Sequence, residues 1–334
     1  MPLTIVRGDI CDQKTDAVVN AANSDLLAGG GVCGAIFNKA GFQQLQKACD
    51  EIGHCDTGKA VYTPGFDLSR YIIHAVGPIY RDGYSGEREL LTSAYQSALG
   101  IADQLKLESI AFPLISAGIY GYPKAEALQV AVESIGSYLL NSDLQVRLVI
   151  YDEPAEYQSA RSLRIARLYH PEPRRMSGAN YLGASFAQSM IAGKDGNVAS
   201  AKMESEMVYE TVQADRDFRT TEDSFSTALF KIIDSKMMLD TDVYRRANID
   251  RKLFSKIRSD KHYQPSKNTA LALCIALKLN SKQANELLAK AGYTLSHASL
   301  FDVIIEYCLN HEIYNIYEVN ELLFVNSQKT LGGF

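Results

Sequence analysis

Three consecutive glycines, Gly29, Gly30 and Gly31, run directly into a helical stretch that starts near Val32, and a polar segment from Asn20 to Asn23 precedes them. Glycines leave the backbone free for left-handed conformations and their N–H groups unobstructed, while the first turn of a helix offers unpaired amides at the positive end of its dipole. That is chemistry for an anion, and a diphosphate suits it. Residues Ser116, Ala117, Gly118, Ile119 and Tyr120 form a second small-residue loop able to turn several N–H groups onto one anion. Asp9, in a Gly8-Asp9-Ile10 triplet, reads by itself as an N-cap or turn aspartate. His74 lies inside an apolar run and reads as a hydrogen-bonded core histidine, with Asn20 as a structural strand-end residue. Cys49, His54 and Cys55 lack a second ligand pair at zinc spacing, so no metal site is expected.

These residues need a scaffold. Short β-rich runs at 3–6, 17–20, 71–76, 109–112 and 146–151 alternate with helical patterns at 34–49, 88–105, 124–140 and 155–168. The pattern predicts an α/β domain over 1–168 with a mostly parallel sheet, whose ligands sit beyond the carboxyl ends of the strands. Both glycine-bearing loops follow strands in that way.

Composition sets the outer limits. The 334 residues carry a net charge of -5 and are 46% hydrophobic, enough to bury a sizeable core and to form two domains. No window approaches the ~18 uninterrupted apolar residues of a membrane span, and residues 1–10 lack the blocks of a signal peptide, so a cytoplasmic location and no membrane partner are expected. Six scattered cysteines favour reduced thiols over a disulfide framework. Residues 1–168 hold 14 basic and 19 acidic side chains, and the second half is balanced at 20 each.

Residues 169–223 are rich in Pro, Ser, Ala, Gly, Met and charge, and read as a flexible linker with one weak helix at 201–212. The remainder, 224–334, reads as all-α, with helices from Phe225, over 243–247, 251–259, 269–279, 283–291, 300–309 and 317–324, and Gly292 as a stop.

Five ordered motifs in the first half resemble the macrodomain family, the ADP-ribose-binding fold, and its MacroD-like hydrolase branch. They are Gly8-Asp9-Ile10, Val19-Asn20-Ala21-Ala22-Asn23, Gly29-Gly30-Gly31-Val32, the stretch from Ile73 to Pro78, and the stretch from Pro113 to Pro123. The resemblance implies a three-layer α/β/α domain. It implies that Asp9 and Ile10 meet the adenine and that Tyr151 covers its face, a core strand tyrosine being the competing reading. It further implies that Gly30, Gly31, Val32, Ser116, Ala117, Gly118, Ile119 and Tyr120 surround the diphosphate, and that Asn23 bonds the distal ribose near its reacting carbon. One position departs from the pattern. Cys33 stands where the hydrolase branch has an aspartate credited with orienting the attacking water, and a neutral thiol is a poor general base. The resemblance thus implies ADP-ribose as ligand or product, no cofactor, and slow removal of mono-ADP-ribose from protein or nucleic acid. A non-catalytic reader or regulator, and a deacetylase of O-acetyl-ADP-ribose, are the alternatives.

Residues 244–267 carry eight basic and two acidic side chains. Helical spacing puts Leu253, Phe254 and Ile257 on an inner face and Arg251, Ser255 and Arg258 on an outer one, beside Lys252 and Lys256. A short helix, a tight turn and this second helix are similar to a Cro/C1-type (Xre-like) helix-turn-helix, which implies DNA as a partner. A solvated basic face is the competing reading.

Overall fold

The computed structural model describes residues 3–159, 162 and 223–332. Among them, six strands form one sheet: β1 (Leu3–Arg7), β2 (Ala17–Ala22), β3 (Ala60–Pro64), β4 (Tyr71–Val76), β5 (Ser109–Pro113) and β6 (Gln145–Ile150). Their order is β1-β6-β5-β2-β4-β3, parallel throughout except for the β3–β4 pair. Side-chain alternation divides the core. Ile73 and Ala75 join Leu3 and Phe112 on one face, and Ile72 and Val76 join Val18 and Ala111 on the other. Helices α3 (Glu87–Gln104) and α4 (Lys124–Leu139) cover the first face through Leu91, Tyr95 and Leu128. Helices α1 (Gly31–Ala40) and α2 (Phe42–Ile52) cover the second through Ile36, Phe37 and Leu45.

The sheet has a seam. All six residues of β2 pair with β4, but only Ala17 and Val18 pair with β5, opposite Ile110 and Ala111. Beyond those two the strands part, and a crevice opens at their carboxyl ends.

Three local expectations change. The helix expected over 34–49 is two helices, broken at Gly41, whose φ of 101° no helical residue adopts. Strand β3 was not legible, being a half-exposed five-residue edge that ends in Pro64. Of the helix expected over 155–168, the described residues show a 3-10 turn, Pro154–Tyr157, and a helical Ser162; residues 160, 161 and 163–168 lie outside the described residues. The expected linker at 169–223, except Asp223, and its helix at 201–212 lie outside the described residues.

Helices α5 (Phe225–Ser235), α6 (Asp240–Arg246), α7 (Arg251–Ser259), α8 (Lys267–Ala276), α9 (Ser281–Lys290), α10 (Leu300–Asn310) and α11 (Ile316–Val325) make up the all-α region. Ser224, Asp250, Ser266 and Asn280 cap α5, α7, α8 and α9 with side-chain oxygens, each such cap contributing about 1 kcal/mol. The α/β part and this helical part belong to one compact unit. The Asn248 carboxamide donates to Leu3 O on β1 at 2.9 Å, Arg245 meets Asp143 at 3.3 Å, and Gln158 donates to Val325 O at 3.3 Å. On α4, a side chain at position 136 would stand 2.5 Å from the ring of Tyr317 on α11, so only glycine admits that approach.

Candidate functional site

The crevice at the seam contains a cavity of about 240 Å³. The glycine loop and the first turn of α1 form one wall through Gly29, Gly30, Gly31, Val32 and Cys33, and the loop after β5 forms the other through Ser116, Gly118, Ile119 and Tyr120. Ala21, Ala22 and Asn23 at the end of β2, Gly77 after β4, and Leu114 and Ile115 after β5 complete the lining. Gly30 is the N-cap of α1 and supplies no side-chain acceptor, so the first-turn amides keep their capacity for an external anion. The Ile119 side chain reaches across to Gly30, where an added Cβ would lie 3.7 Å from its Cδ1. The lining holds no Lys, Arg, Asp, Glu or His. The groups this wall offers an anion are backbone amides and the α1 dipole, not a cation.

The second loop is set by a tight contact. Ser116 has a φ of 66°, in the left-handed region, and its hydroxyl lies against Gly77 in the space any side chain there would take. Tyr122 N–H donates to Ser116 O at 3.0 Å, and Tyr80 N–H donates to Tyr120 O at 2.9 Å. Ser116 is 6% exposed, and its buried hydroxyl, turned against Gly77, has no hydrogen-bond partner.

Asn23 is already occupied within the wall. Its Nδ2 donates to Leu27 O at 2.7 Å and its Oδ1 accepts from Leu27 N–H at 3.1 Å, which closes the turn over residues 23–27. Cys33 is 7% exposed, and its thiol meets Leu27 O at 3.9 Å. No carboxylate stands near that thiol in the lining.

Asp9, Ile10 and Tyr151 do not line the cavity; they stand at the ends of β1 and β6, which Gly8 N–H joins to Ile150 O at 3.0 Å. Asp9 Oδ1 accepts from Cys11 N–H at 2.8 Å and caps the 3-10 turn Ile10–Asp12. Ile10 is buried beneath that turn, Tyr151 is 73% exposed, and Ala117 packs half-buried against the core. All of these residues lie at the same carboxyl edge of the sheet.

His74 is a buried connector. Burial lowers its pKa to about 4, so the ring is neutral. The Asn20 Nδ2 donates to His74 Nδ1 at 3.1 Å, which assigns the proton to Nε2, where Thr63 Oγ1 lies at 3.0 Å. Cys49 Sγ sits 3.8 Å from that Nε2, while His54 is exposed and faces Asp56 at 3.2 Å. Cys49 and His54 thus face different partners.

Gly77, though part of a quoted motif, and Leu27 were given no role in the site from the sequence. That of Gly77 depends on its contact with Ser116 in the loop after another strand, and that of Leu27 on a turn closed by Asn23.

In the helical part, α6, a four-residue turn and α7 follow one another as expected, with Phe254 and Ile257 buried and Leu253 half-buried. Arg251, Lys252, Ser255 and Lys256 are exposed. Arg258 is exposed on the expected outer face, where it pairs with Asp240 and lies 4.2 Å over the Phe230 ring. Arg245 and Lys267 are half-buried and pair with Asp143 and, at 2.7 Å, with the buried Asp302.

The Macro domain family model matches residues 19–131. The O-acetyl-ADP-ribose deacetylase of Salmonella gallinarum is 46% identical over 168 residues, which are 48% of this chain and 93% of that protein. The chain belongs to the Macro domain family. A Macro domain-containing protein of Listeria monocytogenes is 47% identical over 161 residues, covering 46% of this chain and 92% of the relative. Among solved structures, an Oceanobacillus iheyensis macrodomain with ADP is 42% identical and covers 49% of this chain and 92% of that one, with a TM-score of 0.45. The macrodomain of this chain is its α/β part, and the cavity opens at the carboxyl edge of the macrodomain sheet.

Proposed function

We propose that the cavity holds the diphosphate and distal ribose of ADP-ribose, and that the chain slowly hydrolyses esters at that ribose. The substrates are O-acetyl-ADP-ribose and ADP-ribosyl groups on protein or nucleic-acid acceptors. One observation carries the reading: two amide-rich loops, at Gly30–Gly31 and at 116–120, face each other across a crevice without a charged side chain in its lining. The deacetylase name borne by a 46% identical relative supports the ester chemistry. Asp9, Ile10 and Tyr151, farther along the same edge, are then placed for the adenine, with Asp9 Oδ2 the carboxylate oxygen that does not cap the turn.

The residues act by holding. Amides of the α1 first turn and of the second loop bind the phosphates, and Ile119 closes over them. Asn23, fixed by Leu27, presents a rigid wall to the ribose. No basic side chain in the lining takes the proton of the attacking water, so the ligand's own phosphate must hold that water, and turnover is slow.

The test is calorimetry of the full chain with ADP-ribose, followed by measurement of acetate released from O-acetyl-ADP-ribose. Absence of heat on titration sinks the whole reading, and binding without acetate release reduces it to a reader.

A second reading concerns the helical part, as a helix-turn-helix that contacts DNA. The exposed row of Arg251, Lys252, Ser255 and Lys256 on α7 favours it. Three basic contacts to phosphates give a salt slope of about -3 in log affinity against log salt. A gel shift of the full chain with duplex DNA that yields no complex at low salt removes this reading.

A further inference from the structure

We propose that Glu87 is a positioning residue for the cavity: its carboxylate staples the loop over 79–86, and that loop braces the second ligand loop in the form that leaves its amides free for an anion. The identity of the anion rests on the reading of the cavity as an ADP-ribose site; the linkage between the two loops does not.

The second ligand loop spends its carbonyls and keeps its amides. Ser116 O accepts from Tyr122 N–H at 3.0 Å, Gly118 O from Gly121 N–H at 2.9 Å, and Tyr120 O from Tyr80 N–H at 2.9 Å. The N–H groups of Ala117, Gly118, Ile119 and Tyr120 have no hydrogen-bond partner among the described residues. Four consecutive free donors in a cavity wall suit an anion. Two of the three carbonyl bonds close within the loop itself. The third comes from outside, from Tyr80.

Tyr80 is held in turn. Its ring packs edge-on against Tyr122 with centroids 4.9 Å apart, and its hydroxyl lies 2.9 Å from where a side chain at position 83 would begin. The next residue, Arg81, donates its N–H to Glu87 Oε1 at 3.1 Å; Asp82 N–H donates to the same oxygen at 3.3 Å, and Ser85 N–H to Oε2 at 2.7 Å. Glu87 opens α3 and is 2% exposed. Burial by itself would raise its pKa, but its own amide and those of Asp82, Arg81 and Ser85 bring the carboxyl down to about 2, so both oxygens accept at neutral pH. Glu87 does not line the cavity, and so acts on it only through the loop.

A glutamine at 87 has one carbonyl oxygen where the carboxylate has two acceptors. Its amide nitrogen must face either Ser85 N–H or the Arg81 and Asp82 pair, donor against donor. The loop over 79–86 then loosens, and the Tyr80 brace with it.

The experiment compares the full-length parent with Glu87→Gln by calorimetry with ADP-ribose and by residue-resolved amide hydrogen exchange. In Glu87→Gln, affinity should fall at least about tenfold, the effect of losing one bond to a charged group. Exchange should quicken at Arg81, Asp82 and Ser85 and also at Tyr80 and Tyr122. Arg88→Ala, which removes the exposed ion pair with Glu133 one residue farther along α3, should leave both readouts unchanged. In the parent, bound ADP-ribose should by reciprocity slow exchange at Arg81, Asp82 and Ser85, none of which lines the cavity. This last measurement decides the matter even where Glu87→Gln does not fold. Faster exchange confined to Arg81, Asp82 and Ser85 with unchanged affinity would make Glu87 a purely local staple and overturn the proposal, as would ADP-ribose binding that leaves those three amides unaffected. Should the parent show no ADP-ribose binding, the functional reading falls, and exchange at Tyr80 and Tyr122 in the unliganded variant decides the linkage by itself.

Discussion

Tyr317 packs its ring onto Gly136, in the place where a side chain at position 136 would stand 2.5 Å away. Tyr317 is 4% exposed, and this contact joins the last helix of the helical part to α4 of the macrodomain. A larger residue at 136 must push the two helices apart. Gly136→Ala should lower stability by about 1–3 kcal/mol, and Tyr317→Ala by about 3 kcal/mol. Urea unfolding of the full chain checks both. A Gly136→Ala protein as stable as the parent would contradict the interface described.

Gly77→Ala tests the second loop. The new methyl would overlap the Ser116 hydroxyl and come within 2.5 Å of Ile115 Cγ2. The loop over 116–120 must shift, and ADP-ribose affinity should fall at least about tenfold, because misdirected amides lose their charge-assisted bonds. Calorimetry reads the affinity and a thermal scan confirms folding. Unchanged affinity in a folded variant would remove that loop from the ligand site.

Cys33→Asp places a carboxylate in a lining that has none. A positioned general base contributes about 10²–10⁴-fold, so ester cleavage should accelerate by at least about tenfold, with ADP-ribose affinity reduced by the added charge. Acetate release from O-acetyl-ADP-ribose at saturating substrate gives the comparison. An unaltered rate would show that the residue at this position does not limit the chemistry.

His74 predicts a pH dependence of stability. Its folded pKa, lowered to about 4 by burial, lies below the ordinary 6.5, so the unfolded chain binds the extra proton between those values. The contribution is complete above pH 6.5 and is lost as pH falls toward 4, amounting to about 3 kcal/mol. His74→Gln should flatten that part of the profile when urea midpoints are compared at pH 7 and pH 4.5. Parallel profiles for parent and variant would assign the acid sensitivity to other groups.

Much of this was readable beforehand, for definite reasons. The strands read at 17–20 and 71–76 announce themselves because buried parallel strands are continuous apolar runs, and the glycine loop because no other residue type serves it. Helix α7 was placed to the residue, over 251–259, since its buried and exposed positions alternate at helical spacing. Strand β3 escaped because an edge strand needs only half an apolar pattern. The site was legible where it is made of backbone. It was not legible where specific side-chain partners matter: Ser116 against Gly77, Asn23 folded onto Leu27, and Arg258 paired with Asp240. Such pairings are chosen by tertiary geometry, and composition carries no record of them.

Pairing in this sheet is shortest along its middle. With β2 and β5 paired only at Ala17–Ile110 and Val18–Ala111, the six strands divide into two three-stranded plates, β1-β6-β5 and β2-β4-β3, that meet at the base of the crevice. Each plate carries one jaw of the cavity, the glycine loop on one and the Ser116 loop on the other. The helical part is tied to the β1 plate through Asn248 and Leu3. An occupant that bridges the jaws therefore acts as the missing cross-tie of the sheet.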